Sequence, residues 1–164
     1  MEARPEIKLK PERIDIILEV TGYIGLAALW IFVSIMYYRL PDMVPTHFDL
    51  AGEVTDFGPK KISFLMPIIA SFQFLIMGVM QDYPEQFNYT VAITPENAER
   101  QYTNGVRMIR TVKVVLVAVF LTIEVYSDKE YLGLVFNGYL LTPIVLAILI
   151  LPLSYFLIKS YRQR

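Results

Sequence analysis

The sequence predicts an all-α fold, an integral membrane bundle of four transmembrane helices with an ordered outer loop. Three observations carry this expectation. The 164 residues are 55% hydrophobic, with a mean hydropathy of +0.45, more apolar than an ordinary soluble domain. Long runs contain no charged side chain. The basic residues collect in alternate connecting segments, as orientation in a bilayer requires. The length suits one domain. A net charge of −1 gives no electrostatic basis for a nucleic-acid partner. With no cysteine and one histidine, disulfides, thiolate metal sites, cysteine nucleophiles and two-histidine zinc motifs are excluded.

Residues 1–16 form a polar segment, assigned to the cytoplasm, with no apolar core of a cleavable leader. Residues 20–38 are free of charge and match the roughly 20 apolar residues that cross a bilayer. Residues 62–81 are the second such run and residues 131–158 the last. Pro143 and Pro152 fall inside that last run, where neighbouring helices can satisfy a freed carbonyl. A further span lies between Lys113 and Glu124. Its uncharged core, residues 114–123, is short, so it crosses only if Arg110 and Lys113 snorkel to one surface and Glu124 reaches the other. Arg4, Lys8, Lys10 and Arg13 precede the first span. Arg100, Arg107, Arg110 and Lys113 sit between the second and third, and Lys159, Arg162 and Arg164 follow the last. The remaining connections carry only Arg39, Lys60, Lys61 and Lys129. Both termini are therefore expected in the cytoplasm of a cell (inner) membrane. Tyr37, Tyr38, Tyr126 and Tyr131 would form the outer aromatic belt. Trp30, Ser71, Gln73 and Asn137 fall within spans, where such groups pack or hydrogen-bond between helices.

The outer loop, residues 39–61, is dense in turn signals: Leu40-Pro41, Val44-Pro45, Ala51-Gly52 and Gly58-Pro59. Prolines restrict themselves and the residue before them, so the loop should be ordered. Val44, Phe48, Val54 and Phe57 would let it fold back onto the helix ends. Gly58-Pro59 is expected to open the second helix. His47, Asp49, Glu53 and Asp56 lie within ten residues and offer the donor types of a divalent-cation site, with Gly52 turning between them. Their spacing matches neither an EF-hand nor a zinc-hydrolase pattern. The alternative is a solvated acidic loop with His47 bonded to a backbone carbonyl. No nucleophile or oxyanion donor accompanies His47, so nothing completes a catalytic constellation.

Leu40-Pro41-Asp42, Val44-Pro45, His47-Phe48, Gly52, Asp56, Gly58 and Lys60 together resemble a bacterial membrane domain of unknown function. That domain forms the N-terminal part of SdpI-like proteins, the immunity and signalling proteins of a bacterial toxin system. Pro67 and Phe87-Asn88 fit the same pattern, which covers residues 20–105. Asp49 stands where family members often carry asparagine, and residues beyond 105 do not match the immunity proteins' C-terminal domain. The resemblance implies a membrane location and a functional loop built on Pro41, Asp42, Pro45, His47, Phe48, Gly52, Asp56, Gly58 and Lys60. It divides the chain into residues 17–105, two spans with the outer loop, and 106–164, two further spans with a short cytoplasmic tail.

On the other side, Thr94-Pro95-Glu96 is a helix start with threonine as N-cap, and Gly105 is a candidate kink. Arg107, Arg110 and Lys113 recur on one helix face. They would serve as a basic collar or bind anionic lipid headgroups. The leading functional expectation is a non-enzymatic bacterial protein that binds or senses a ligand or toxin at the outer face, with the bilayer, a peptide or protein and a second copy as partners and no cofactor. The alternatives are a metal-dependent membrane enzyme using the His/Asp/Glu loop and an accessory subunit of a transporter.

Overall fold

In the computed structural model, which describes residues 4–135 and 138–162, four helices carry the chain. They are α1 (Arg13–Tyr37), α2 (Leu65–Met80), α3 (Ala98–Ser127) and α4 (Leu141–Arg162). Asn137 and Arg164 lie outside the described residues. Among the described residues, three stretches are long and apolar enough to cross a membrane: Arg13–Tyr37, Lys60–Met80 and Gly138–Arg162. Only 17%, 17% and 6% of their most apolar windows is buried. The rest is an apolar exterior far larger than a soluble protein tolerates, with Ile16, Ile24, Phe72, Leu75, Ile150 and Leu151 all turned outward.

The short run between Lys113 and Glu124 belongs to the longest helix. α3 has 30 residues, about 45 Å at 1.5 Å per residue, and it packs against each of the other three helices. Its charged residues keep it out of the set of apolar spans. Three of them, Arg107, Arg110 and Lys113, are instead turned to α1. Arg107 forms a two-pronged pair with Asp15 (2.9 and 3.2 Å) and reaches Glu12 at 2.8 Å. Arg110 meets Asp15 at 3.0 Å, Glu19 at 3.2 Å and the amide oxygen of Gln81 at 2.7 Å. The Lys113 ammonium donates to both oxygens of Glu19, at 2.7 and 2.9 Å, and lies 4.4 Å from the Phe74 ring centre. The acids at 12, 15 and 19 and the bases at 107, 110 and 113 thus form two facing stripes, each on one side of its helix. These partners explain why α1 begins at Arg13, seven residues before the charge-free run at 20–38.

Since Glu12 pairs with Arg107 and Glu19 with Lys113, α1 and α3 run parallel. α4 runs back along α3. Gln101 exchanges hydrogen bonds with Ser160 (3.0 Å to its carbonyl, 2.7 Å from its hydroxyl), and Asn104 donates to the Phe156 carbonyl at 3.0 Å. Amide bridges of this kind join helices where water is scarce. The N-terminal segment is tied to the same end, where Arg4 donates to the carbonyls of Glu85 and Phe87 at 2.8 and 2.7 Å. Both ends of the described chain therefore lie together, opposite the turn between α1 and α2.

Trp30 links α1 to α2 by donating to the Ser71 hydroxyl at 3.0 Å, and Leu29, Val33 and Ala70 form the apolar centre between them. The expected helix start at Thr94 comes three residues later. Thr94 opens a turn in which its carbonyl accepts from Asn97 and Ala98, while the Asn97 side chain accepts from the Thr94 amide at 2.9 Å. α3 runs unbroken through Gly105. A Cβ there would stand 3.1 Å from both Phe87 and the Tyr89 hydroxyl, so this glycine provides close approach for the 83–89 linker. α4 begins at Leu141, ten residues after the start of the last charge-free run, because residues 128–134 first make a chain of turns.

Removing the acid that holds both arginines should unfold this end. Asp15 is 3% exposed, and a buried pair broken from one side costs about 3–5 kcal/mol. Asp15→Ala should lower stability by that amount in a denaturant titration in detergent, while Asp15→Leu combined with Arg107→Met recovers most of it. An Asp15→Ala protein as stable as the parent would mean the stripes do not hold the helices together.

Candidate ligand-binding hairpin

Between α1 and α2 the ordered loop takes a form that an all-α expectation omits. It is a two-stranded antiparallel hairpin, β1 (Met43–Phe48) and β2 (Val54–Pro59). Val44 is opposite Gly58, Pro45 opposite Phe57, and His47 opposite Asp56, with irregularities on both sides of His47. Such bulges re-aim side chains. The proline-rich sequence is compatible with strands here because a two-stranded ribbon consists of edges, where a missing N–H is tolerated.

The tip is built by Asp49 and Gly52. One carboxylate oxygen of Asp49 accepts from the amides of Ala51 (2.8 Å) and Glu53 (2.9 Å), the local pattern for which aspartate is favoured in turns. Gly52 has φ +78°, a left-handed conformation open to glycine at no steric cost. A Cβ at Gly52 would also run into the Tyr126 hydroxyl and lie 2.7 Å from the Cα of Gly138. Gly58 is needed for close packing, since its Cβ would meet the Thr46 methyl at 2.8 Å.

The end of α3 clamps the hairpin from beneath. The Tyr126 hydroxyl donates to the Gly52 carbonyl at 2.8 Å, Ser127 to the Pro45 carbonyl at 3.2 Å, and Phe48 sits edge-on to the Tyr126 ring at 5.4 Å. Val44 is 1% exposed and joins Met36 and Leu40 in a small apolar cluster. At the base, Lys60 donates to the Leu40 carbonyl at 3.4 Å, lies 3.4 Å from the Asp42 carboxylate and 5.2 Å from the Tyr37 ring centre. Pro41 and Asp42 are exposed at the entry to β1. None of Tyr37, Tyr126 and Ser127 carries a local signal for this task. Tyr126 and Ser127 are more than 70 residues from their hairpin partners.

The four residues with cation-binding chemistry do not converge. His47 is 3.7 Å from Asp56, both about 70% exposed, and its ring also contacts the Thr46 hydroxyl at 3.1 Å. Asp49 is committed to the turn, and one oxygen of Asp56 accepts from the Phe57 amide. Among the described residues no three His, Asp or Glu side chains are grouped to hold a metal ion. What the hairpin does present is apolar: Leu50 is 83% exposed, Phe57 56% and Met43 53%. Beside its anchor, Asp128 is 2% exposed, with one carboxylate oxygen lacking a hydrogen-bond partner. Burial raises its pKa from 3.8 to about 6. Glu124, a turn earlier, is buried as well. The cations Arg107, Arg110 and Lys113 lie at the opposite end of α3, already paired with α1.

A family model described as Domain of unknown function (DUF1648) matches residues 24–70. The matched stretch is the hairpin with the second half of α1 and the start of α2. An uncharacterized protein of Archaeoglobus fulgidus is 38% identical over 48 residues. That similarity covers 29% of this chain and only 26% of the relative's length. No solved structure matches.

Two outcomes follow from the clamp. Tyr126→Phe leaves the Gly52 carbonyl without its buried donor, at a cost of about 1–3 kcal/mol, and should speed amide exchange in the hairpin roughly tenfold. Unchanged exchange would show that another contact holds the tip. Asp128 holds its proton more tightly folded than unfolded, so it adds stability at low pH that is lost as pH rises between about 4 and 6. Thermal unfolding should show that decline, and Asp128→Asn should abolish it.

Proposed function

We propose that this chain is a small non-enzymatic multi-pass protein of the cell (inner) membrane that binds or senses a ligand at the outer face through the β1–β2 hairpin. The observation that carries this reading is the contrast within the hairpin. Its inner side is fixed by a buried bond from Tyr126 to the Gly52 carbonyl and a partly buried one from Ser127 to the Pro45 carbonyl, yet Met43, Leu50 and Phe57 are left uncovered. A rigid element bearing exposed apolar side chains loses little entropy on binding and gains burial. The family match supports the same region, since residues 24–70 centre on the hairpin. The ligand class is an amphiphilic peptide, in keeping with the likeness to SdpI-like immunity proteins. The four helices form the membrane bundle, with α3 crossing in the company of the other three. The basic residues at the end shared by the termini support a cytoplasmic location for that end.

The absence of native cysteine allows a direct test. Leu50→Cys should react with a membrane-impermeant maleimide in intact cells, whereas Tyr161→Cys should react only after permeabilisation. Cells expressing the protein should survive membrane-active peptides better than cells without it. Leu50→Asp with Phe57→Asp should remove that advantage at unchanged membrane abundance. Labelling of Tyr161→Cys in intact cells would overturn the orientation. Full protection by the double variant would overturn the role of the hairpin.

A further inference from the structure

A cleft of about 440 Å³ opens between α1 and α2 at the ion-pair end, with Lys113 of α3 at its back, within the roughly 300–1,000 Å³ range of small-molecule sites. Its composition changes along its length. Glu19, Gln81 and Asp82 form one end, and Leu26, Leu75 and Gly78 belong to the apolar remainder. Along α2 the lining runs from Ser71 to Val79, a rise of about 12 Å, and continues through Gln81 and Asp82 just past its end, so the polar end sits where α2 finishes and the apolar part extends into the span. An amphiphile entering from the bilayer meets this order of surfaces.

The charges at the mouth select the headgroup. Lys113 has both oxygens of Glu19 and the Phe74 ring as neighbours, and Arg110 is held by Asp15, Glu19 and Gln81. Neither cation is available to an anion. Asp82 is exposed at the lip, and among the described residues it makes no ion pair. The lining therefore carries one negative charge in excess, from Glu19 and Asp82 against Lys113. Gly78 leaves the apolar half open, since a Cβ there would touch nothing within 4 Å.

We propose that this cleft is a binding site for a phospholipid with a primary ammonium headgroup, the ammonium facing the unpaired Asp82 at the lip and an acyl chain lying along Leu75 and Gly78. Methylation of the amine removes its N–H donors, and an anionic headgroup is repelled by Asp82, so both should bind less well.

Native mass spectrometry of the full chain, exchanged into mixtures of phosphatidylethanolamine, phosphatidylcholine and phosphatidylglycerol, tests this. The parent should retain phosphatidylethanolamine with roughly three- to fivefold preference, the scale of one exposed ion pair. Asp82→Asn should erase the preference while still retaining lipid. Gly78→Leu should reduce retention of all three, with a melting curve unchanged because the new side chain enters empty space. Equal retention of the three lipids by the parent would overturn the headgroup assignment. Undiminished retention in Gly78→Leu would overturn the cleft as the site. Displacement of the lipid by free phosphoethanolamine as readily as by intact phosphatidylethanolamine would overturn the part assigned to the acyl chain.

Discussion

The pairing of three acids, the α1 cap Glu12 with Asp15 and Glu19 of α1, with three bases on α3 is the constraint from which the rest of the arrangement follows. A lone charge placed among apolar helices costs several kcal/mol, and pairing recovers this only with close geometry and saturated hydrogen bonds. Here Lys113, 1% exposed, has two carboxylate oxygens and an aromatic face as neighbours, and Asp15 is shared by two guanidinium groups. These contacts permit one register, with Glu12 beside Arg107 and Glu19 beside Lys113. That register makes α1 and α3 parallel, leaves α2 and α4 to return between them, and sends the hairpin to the far end. It also satisfies the cations at the back of the α1–α2 cleft, so that Asp82 sets the charge of its mouth.

At the other end the same helix plays a second part. Tyr126 and Ser127 continue α3 beyond the apolar core and supply the donors that hold the hairpin. The tip then fits only because Gly52 brings its backbone against the Tyr126 hydroxyl. The region shared with other proteins, residues 24–70, includes the hairpin and excludes α3. The element that recurs between proteins thus rests, in this chain, on a support from outside the matched segment.

The three charge-free runs were legible as helices because length and apolarity are properties of the local sequence, and a bilayer demands both. The order in the loop was legible from its prolines and glycines for the same reason. Its strands were not, since the bulge at His47 and the prolines at 45 and 59 interrupt the period-two alternation that marks a strand. The helix limits were misjudged wherever a distant partner set them. Asp15 and Glu19 look like a polar approach to the first span until Arg107 and Lys113 are beside them, whereas residues 131–134, which look like the start of the last span, are held in turns by their own neighbours. The four loop residues with cation-binding chemistry were visible as a cluster in sequence, but the ribbon separates Asp49 and Glu53 from the His47–Asp56 pair.

By itself the sequence determined which segments are apolar enough to leave water, that the loop between the first two is ordered, and that basic charge concentrates at one end. Each of these is a sum over neighbouring residues. The tertiary structure alone decided which charges meet, that α3 is the helix all the others pack on, where the hairpin is clamped, and that a cleft with an acidic lip opens between α1 and α2. Each of those depends on groups tens of residues apart arriving at hydrogen-bond distance, and no local pattern records such a meeting before the chain is folded.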